Sequence, residues 1–225
     1  MGWEAPQPEH SIVDAVCLVT GAEPSEVEAL VRAVPNPLTV EENVLYGSPD
    51  ASEELLTLAY VLCRLLRPQA VVETGVAYGF TSAAILAALA ENGAGRLLSV
   101  DLPHLHLRAG QVVGAAVAPQ LRDRWKLSFG PSRRVLPGVL ADAGEVGLFV
   151  QDGSHLTAGQ LYDYRTAWPH IAPGGVLLTD DIGPAFELFA WEVGVAGVLV
   201  HQSGHRKELP LGVLAKPAGT PVNAR

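Results

Sequence analysis

A short apolar strand, a turn with two glycines and an Ala/Leu-rich helix follow one another near residue 75. The strand ends at Glu73, the glycines are Gly75 and Gly79, and the helix follows Thr81. This order leaves free backbone N–H groups and a helix N-terminus at the carboxyl end of the strand. Such an end attracts ligands that carry a negative charge or a carboxylate.

The rest of the chain repeats the alternation of strand and helix. Strands are predicted over 70–73, 96–101, 125–129, 146–151 and 176–179. Helices are predicted over 12–18, 25–34, 53–66, 83–92, 109–121, 157–170 and 186–194, with Ser25 and Ser52 as N-caps. This alternation predicts a doubly wound, mostly parallel α/β sheet. Segments 197–201 and 211–216 have no helix between them, so we expect an antiparallel hairpin at the sheet edge.

Composition narrows the function classes. The 225 residues are 48% hydrophobic, which is enough for one α/β domain with a sizeable core. A net charge of −9 argues against nucleic-acid binding, because phosphate contacts need clustered Lys and Arg. No uninterrupted apolar run reaches the length of a membrane span, and no signal peptide is recognisable. Cys17 and Cys63 lie in apolar segments and suit buried thiols in a reducing cytoplasm.

The glycine spacing separates two cofactor classes. A dinucleotide site requires G-x-G-x-x-G, and Phe80 stands where its last glycine would be. Glu73 closes the strand, where an acid repels phosphate and accepts hydrogen bonds from an amine or a hydroxyl. These two features disfavour a nicotinamide cofactor.

The run Glu73-x-Gly75-x-x-x-Gly79-Phe80-Thr81 resembles the first motif of class I S-adenosylmethionine-dependent methyltransferases, closest to the catechol-type O-methyltransferases. The resemblance implies that Glu73, Gly75 and Gly79 hold the methionine portion of the cofactor and that Thr81 touches its carboxylate. It also implies a Rossmann-like, mostly parallel seven-stranded sheet with a reversed strand. On this basis residues 1–50 form an N-terminal helical cap with a candidate lid at 38–50, residues 51–217 the methyltransferase domain, and residues 218–225 a loose tail.

Polar residues follow the other predicted strands. Asp101 ends the second strand, where an acid grips ribose hydroxyls in nucleotide-binding folds. The turn at 130–132 resembles the Gly-x-Ser turn that borders adenine in the catechol-type enzymes, which makes Ser132 a cofactor contact. The alternatives are a solubilising acid at a strand end and an ordinary turn.

Three acids follow the fourth and fifth strands: Asp152, Asp180 and Asp181. Carboxylates crowded together raise one another's pKa unless a cation neutralises them, and an all-oxygen set suits Mg²⁺ or Mn²⁺. The arrangement resembles that of metal-dependent O-methyltransferases, which implies a metal triad of these acids, with Asp152 also near the cofactor. The alternative for Asp152 is a turn residue, and for the other two a shield at a strand end.

His155 stands three residues past Asp152, where those enzymes place a lysine as general base. Asp-Gly-x-His is also found in related small-molecule and sugar O-methyltransferases, and an ordinary histidine with a pKa of about 6.5 can accept a hydroxyl proton at neutral pH. His155 could instead cap the following helix. The sequence therefore predicts an S-adenosylmethionine-dependent O-methyltransferase that acts on a catechol-like, sugar or natural-product diol, with divalent-metal assistance.

Other functions remain open on the same fold. They are a metal-free N- or C-methyltransferase, an aminopropyl transferase, a non-catalytic protein that binds S-adenosylmethionine, and a nicotinamide oxidoreductase. The Ala-, Pro- and Gly-rich composition is associated with enzymes of secondary metabolism. The oligomeric state stays open, and a homodimer is the commonest expectation for a soluble oligomer.

Overall fold

The structure, a computed structural model, describes residues 9–35, 51–102, 113–203 and 209–219. Within them eight strands form a single sheet in the order β1-β7-β8-β6-β5-β2-β3-β4. The strands are β1 Glu9–His10, β2 Ala70–Thr74, β3 Arg96–Asp101, β4 Trp125–Phe129, β5 Val146–Gln151, β6 Ile171–Thr179, β7 Val198–Val200 and β8 Leu211–Ala215. All neighbouring pairs are parallel except those that β8 makes with β6 and β7.

Helices connect the strands. They are α1 Ile12–Thr20, α2 Pro24–Arg32, α3 Glu53–Leu66, α4 Phe80–Asn92, α5 Ser132–Ala143, α6 Thr157–Ala167 and α7 Pro184–Val193. Short 3₁₀ helices cover Pro119–Arg124 and Trp168–His170.

The central strands are apolar on both faces because helices cover both sides of the sheet. Val71 faces the core that α1–α4 complete, and the next residue, Val72, faces the core that α5–α7 complete. Leu148 and Phe149 of β5 divide between the same two cores. Side chains alternate along a strand, so a parallel sheet buried on both faces has a nearly continuous hydrophobic sequence.

The predicted fold class is confirmed, with two differences in the sheet. The predicted antiparallel pair forms, but β8 lies inside the sheet between β6 and β7. The seven predicted strands are joined by an eighth, because Glu9 and His10 pair in parallel with Leu199 and Val200. A two-residue strand has no hydrophobic period, and the surrounding Pro- and Glu-rich composition suggested a loose segment.

Three helix predictions need correction. Helix α2 begins at Pro24 after Glu23 as N-cap, because proline suits the first helical position, so Ser25 lies inside the first turn. Residues 113–118 form turns rather than the end of a helix predicted over 109–121, whose first residues lie outside the described ones. Helix α5 was not predicted, because Pro137 and Gly138 interrupt its pattern.

Helices α1 and α2 pack into the same hydrophobic core as α3. Ala15 and Val16 of α1 and Val27 of α2 are buried in the same cluster as Leu55 and Leu58 of α3. The candidate lid at 38–50 lies outside the described residues. In the described part of the chain, no helix has both the length and the hydrophobicity needed to cross a membrane.

The two predicted N-caps provide a matched test. The Ser52 hydroxyl accepts the N–H of Leu55 at 3.1 Å and caps α3, whereas Ser25 is exposed inside α2. We expect Ser52→Ala to lower the free energy of unfolding by about 1 kcal/mol and Ser25→Ala to change it by less than about 0.5 kcal/mol. Urea denaturation followed by circular dichroism measures both, and equal losses would contradict this assignment of the caps.

Candidate active site at the carboxyl edge of the sheet

The turn after β2 is built for close approach of backbone to backbone. Gly75 has φ +85°, and a Cβ placed there would lie 2.2 Å from the carbonyl oxygen of Asp152. Gly153 faces it, since its own Cβ would lie 3.2 Å from the Gly75 nitrogen. The loops after β2 and β5 therefore touch through glycine, which leaves the cleft above them open.

Helix α4 begins directly after the glycine turn. Gly79, with φ +85°, is the N-cap residue, and Thr81 lies in the first turn with 5% of its surface exposed. N–H groups of a first helical turn have no partner within the helix and favour an anionic group. The predicted contacts of Gly79 with the methionine portion of a cofactor and of Thr81 with its carboxylate remain predictions, and the geometry suits them.

Asp101 holds the glycine turn in place. Its Oδ2 accepts the backbone N–H groups of Val76 at 3.1 Å and Ala77 at 2.8 Å, and its Oδ1 accepts that of Leu102 at 2.6 Å. Ala77 has φ +46°, a strained conformation that these bonds help to maintain. A carboxylate has about four acceptor positions, so the predicted ribose contact stays compatible with this structural role.

Glu73 lies beneath the cleft, with its side chain enclosed by the protein. It is 0% exposed, and its Oε2 accepts hydrogen bonds from Ser82 at 2.6 Å and Ser99 at 2.7 Å. Its Oε1 has no hydrogen-bond partner in the structure as described. Burial raises the pKa of Glu73 to about 7. The predicted direct contact with the cofactor stays a prediction, and the observed contacts tie β2, α4 and β3 together.

A cleft of about 110 Å³ opens above the strand ends. Its lining residues come from the ends of β2 and β3, from the turns after β2, β3, β4 and β5, and from α5 and α6: Thr74, Gly75, Val100, Asp101, Leu102, Gly130, Ser132, Gly153, Ser154 and Asp163. Three of the predicted cofactor contacts, Gly75, Asp101 and Ser132, are among them. The parallel strands thus bring together residues that lie far apart in the chain.

Asp163 is a cleft residue that the sequence analysis missed. It is 1% exposed, its Oδ2 accepts a hydrogen bond from Thr74 at 3.3 Å, and its Oδ1 has no partner among the described residues. Burial raises its pKa, and hydrogen bonding from Ser132 and Thr74 opposes that rise. The sequence signal that could have identified it is the helical spacing of Asp163 from Gln160 and Ala167, which places this acid on the buried face of α6.

His155, which follows the cleft residue Ser154, contacts Asp181. The Nδ1 of His155 lies 3.2 Å from the Oδ2 of Asp181, and the imidazole is about half exposed. Asp181 has φ +45°, the left-handed region that non-glycine residues seldom occupy. A carboxylate on Nδ1 favours a proton there and leaves Nε2 free to accept another. The predicted role of His155 as general base stays a prediction, and the contact with Asp181 is compatible with it.

The acids of the predicted metal triad lie at adjacent strand ends. Asp180 is 1% exposed and its Oδ1 accepts the Gln202 amide at 3.3 Å, while the backbone N–H of Asp152 bonds the Thr74 carbonyl at 2.8 Å. Among the residues that the structure describes, no group of three His, Cys, Asp or Glu side chains has an arrangement that could hold a metal ion. The described donor set therefore does not fit a divalent cation, and Mg²⁺ or Mn²⁺ remains a prediction of the sequence.

A comparison of the sequence with protein families finds one match that covers these strands and turns. Residues 72–182 match the family described as methyltransferase domain. Just under half of the chain is therefore similar to a methyltransferase domain. The matched range runs from β2 through β6 and includes the glycine turn, His155 and Asp181.

Solved structures support the same fold for the methyltransferase domain and the segments around it. The O-methyltransferase of Bacillus cereus in complex with S-adenosylhomocysteine has a TM-score of 0.62 at 14% identity, over 91% of this chain and 97% of that one. TomG of Streptomyces achromogenes, an O-methyltransferase of tomaymycin synthesis in complex with S-adenosylmethionine, has 0.59 at 16%, over 91% and 95%. The TDP-rhamnose 3'-O-methyltransferase of calicheamicin biosynthesis has 0.53 at 16%, over 85% and 93%. No curated protein sequence matches the chain.

The glycine turn can be tested with a matched pair. Gly75→Ala places a methyl group against the Asp152 carbonyl, whereas Gly93→Ala, also at positive φ, meets no described atom within 4 Å. We expect Gly75→Ala to weaken S-adenosylhomocysteine binding more than about tenfold, because the turn must shift by more than an ångström. Gly93→Ala should leave binding unchanged and cost about 1 kcal/mol of stability. Calorimetric titration of both variants measures the difference, and equal affinities would contradict it.

Glu73 predicts a pH-dependent stability. An unfolded glutamate ionises near pH ~4.3, and the folded protein keeps this proton up to about pH 7. The folded state therefore binds the proton more tightly, so its stability is greatest below the unfolded pKa and declines as pH rises to the folded pKa, by on the order of 3 kcal/mol.

Glu73→Gln should flatten that decline, because glutamine keeps an acceptor for the two serines and does not ionise. Urea denaturation from pH 4 to pH 8 measures it, with the exposed Glu26→Gln as control. A decline of the same size in Glu73→Gln and the wild type would show that other groups cause it.

Proposed function

We propose that this protein is an S-adenosylmethionine-dependent O-methyltransferase that acts on a hydroxyl of a small molecule, with His155 as general base. The observation that carries the proposal is the contact of His155 with Asp181, located at the strand ends next to the glycine turn and within the matched methyltransferase domain.

The residues at the cleft fit the cofactor. The glycine at position 75 lets the loops after β2 and β5 touch without a side chain between them, and the unpartnered Oδ1 of Asp163 offers an acceptor to an amine. The N-terminus of α4 with Thr81 would hold the cofactor carboxylate, Asp101 the ribose hydroxyls, and Ser132 the region of the adenine. S-adenosylmethionine supplies a methyl group on a sulfonium sulfur when it is bound.

The His155–Asp181 pair supports proton removal from the acceptor. The carboxylate of Asp181 orients the imidazole and stabilises the positive charge that it gains. The Nε2 of His155 takes the proton of a hydroxyl as its oxygen attacks the methyl carbon. Positioning and deprotonation are what such a displacement requires of a protein.

The acceptor class follows from the resemblance and from the named neighbours. One neighbour methylates a sugar hydroxyl of TDP-rhamnose and another acts in tomaymycin synthesis. A catechol-like or sugar diol of secondary metabolism therefore belongs to the proposal. A cytoplasmic location and a homodimer are further parts of it.

The test begins with the cofactor and then moves to the acceptor. We expect calorimetry to show binding of S-adenosylhomocysteine and none of NAD. Incubation with methyl-labelled S-adenosylmethionine, catechol, TDP-rhamnose and 2-aminophenol should then label oxygen rather than nitrogen. Labelling of nitrogen would indicate an N-methyltransferase, and cofactor binding without labelling of any acceptor would favour a non-catalytic binding protein.

Replacement of the base should separate catalysis from binding. We expect His155→Ala to lower kcat by about 10² to 10⁴ with unchanged affinity for S-adenosylhomocysteine, because the general base is lost while the cleft remains. Asp181→Asn should give part of that loss. His170→Ala, at the opposite edge of the sheet, is the control. An unaltered kcat in His155→Ala would remove the histidine from the mechanism.

Divalent-metal assistance is a prediction of the sequence, and it is tested separately from the proposed function. Because the described residues offer no group of three metal ligands, we expect turnover to continue in the presence of EDTA. A loss of turnover that added Mg²⁺ restores would instead support the predicted triad of Asp152, Asp180 and Asp181.

A further inference from the structure

Two buried glutamines hold the main chain on the two sides of the His155–Asp181 pair. Gln151 is the last residue of β5 and is 1% exposed, and Gln160 lies on α6 and is 2% exposed. Buried amides require hydrogen-bond partners, so the groups that they bond are held firmly.

Gln160 acts on the side of Asp181. Its Nε2 donates to the carbonyl oxygen of Asp181 at 3.1 Å and lies 3.5 Å from that of Asp180. A left-handed backbone at a residue such as Asp181 costs on the order of 1–3 kcal/mol and persists where the surroundings fix it. The amide of Gln160 is placed to fix it, because it binds the carbonyl of the strained residue itself.

Gln151 acts on the side of His155. Its Nε2 donates to the carbonyl oxygen of Ser154, directly before the histidine, at 2.9 Å. The Thr179 hydroxyl donates to its Oε1 at 2.8 Å, and the Tyr164 hydroxyl lies 2.8 Å from that of Thr179. These contacts determine which way the Gln151 amide faces, so its N–H points to the loop that carries His155.

We infer that Gln151 and Gln160 are positioning residues that set the contact between His155 and Asp181, an inference that rests on the proposed role of His155 as base. Both amides are neutral and bind main-chain carbonyls, so they act through the backbone. Each holds one partner of the pair, and α6 supplies the frame that both share through Tyr164 and Gln160.

The inference predicts a proton position that can be measured without cofactor or acceptor. With Asp181 in place, neutral His155 should carry its proton on Nδ1. ¹⁵N spectra of the imidazoles near pH ~8.5, where unperturbed histidines are neutral, report this tautomer. Comparison with His155→Ala identifies the signal among the seven histidines. A wild-type protein with the proton on Nε2 would overturn the inference by itself.

The variants separate positioning from mere stability. Gln160→Met keeps length and volume but removes the donor, and we expect a mixture of both tautomers at His155. Gln151→Met should do the same from the other side and serves if Gln160→Met fails to fold. Gln69→Met, an exposed site just before β2, is the control and should keep the wild-type signal. Wild-type signals in a folded Gln160→Met or Gln151→Met protein would contradict the inference.

Kinetics provide a second readout with an acceptor that the panel above shows to be methylated. We expect Gln160→Met to lower kcat about 10- to 100-fold, since a shift of about 1 Å can cost that much. Affinity for S-adenosylhomocysteine should stay within about twofold, because the amide does not line the cleft. In a His155→Ala background the same change should cost nothing further, as expected for residues that act as a unit.

These outcomes distinguish the two proposals. Absence of S-adenosylhomocysteine binding would refute the proposed function and leave the tautomer result standing. A full additional loss from Gln160→Met in the His155→Ala background would refute the positioning role and leave the methyltransferase proposal intact.

Discussion

The parallel register of the central strands is the constraint on which the site depends. Thr74 pairs with Val100 on one side and with Gln151 on the other, and Gln151 pairs with Thr179. The residues that follow these four positions are Gly75, Asp101, Asp152 and Asp180. They consequently end at one level, although they are spread over more than a hundred positions of the chain. A one-residue slip of β5 would move the Asp152–His155 loop away from both neighbours and reverse the faces of Leu148 and Phe149.

Hydrogen bonds of buried polar side chains hold these strand ends in place. Glu73 connects β2 to α4 through Ser82 and to β3 through Ser99, whose hydroxyl also receives the Trp125 indole at 2.9 Å. Asp101 holds the turn from the side, because its carboxylate accepts hydrogen bonds from the backbone N–H groups of Val76 and Ala77. An acid below and an acid beside the glycine turn keep its backbone in a conformation that the local sequence would not adopt alone.

The fold was predictable because its strongest signals are local and regular. Val71 and Val72 continue an apolar run before glycine, and Ser52 stands directly before an amphipathic helix, so element type and position follow from them. The N-cap of α2 was wrongly predicted at Ser25, because Pro24 starts the helix one residue earlier. The short strand at Glu9 arises from pairing with a partner nearly two hundred residues away, which no local pattern reveals.

The position of a candidate site residue was predictable where its side chain follows a strand, although its role remains a prediction. Asp101, His155 and Asp181 were found because strand ends converge in an α/β sheet. Asp163, Gln151 and Gln160 were missed because their roles depend on which neighbours a helix or strand presents to them in space. Contacts between the three acids were likewise beyond the sequence, since loop geometry decides whether neighbouring carboxylates face one another.

The placement of β8 between β6 and β7 orders the assembly of the sheet during synthesis. β7 leaves the ribosome before β8, yet its hydrogen bonds to the rest of the sheet run through β8, and β1 can pair only once β7 is in position. The five strands from β2 to β6 can form early, whereas the half of the sheet next to β6 must wait for residues near 215. Until then the β6 edge is open, so a nascent chain is most exposed to pairing with other chains at this point of its synthesis.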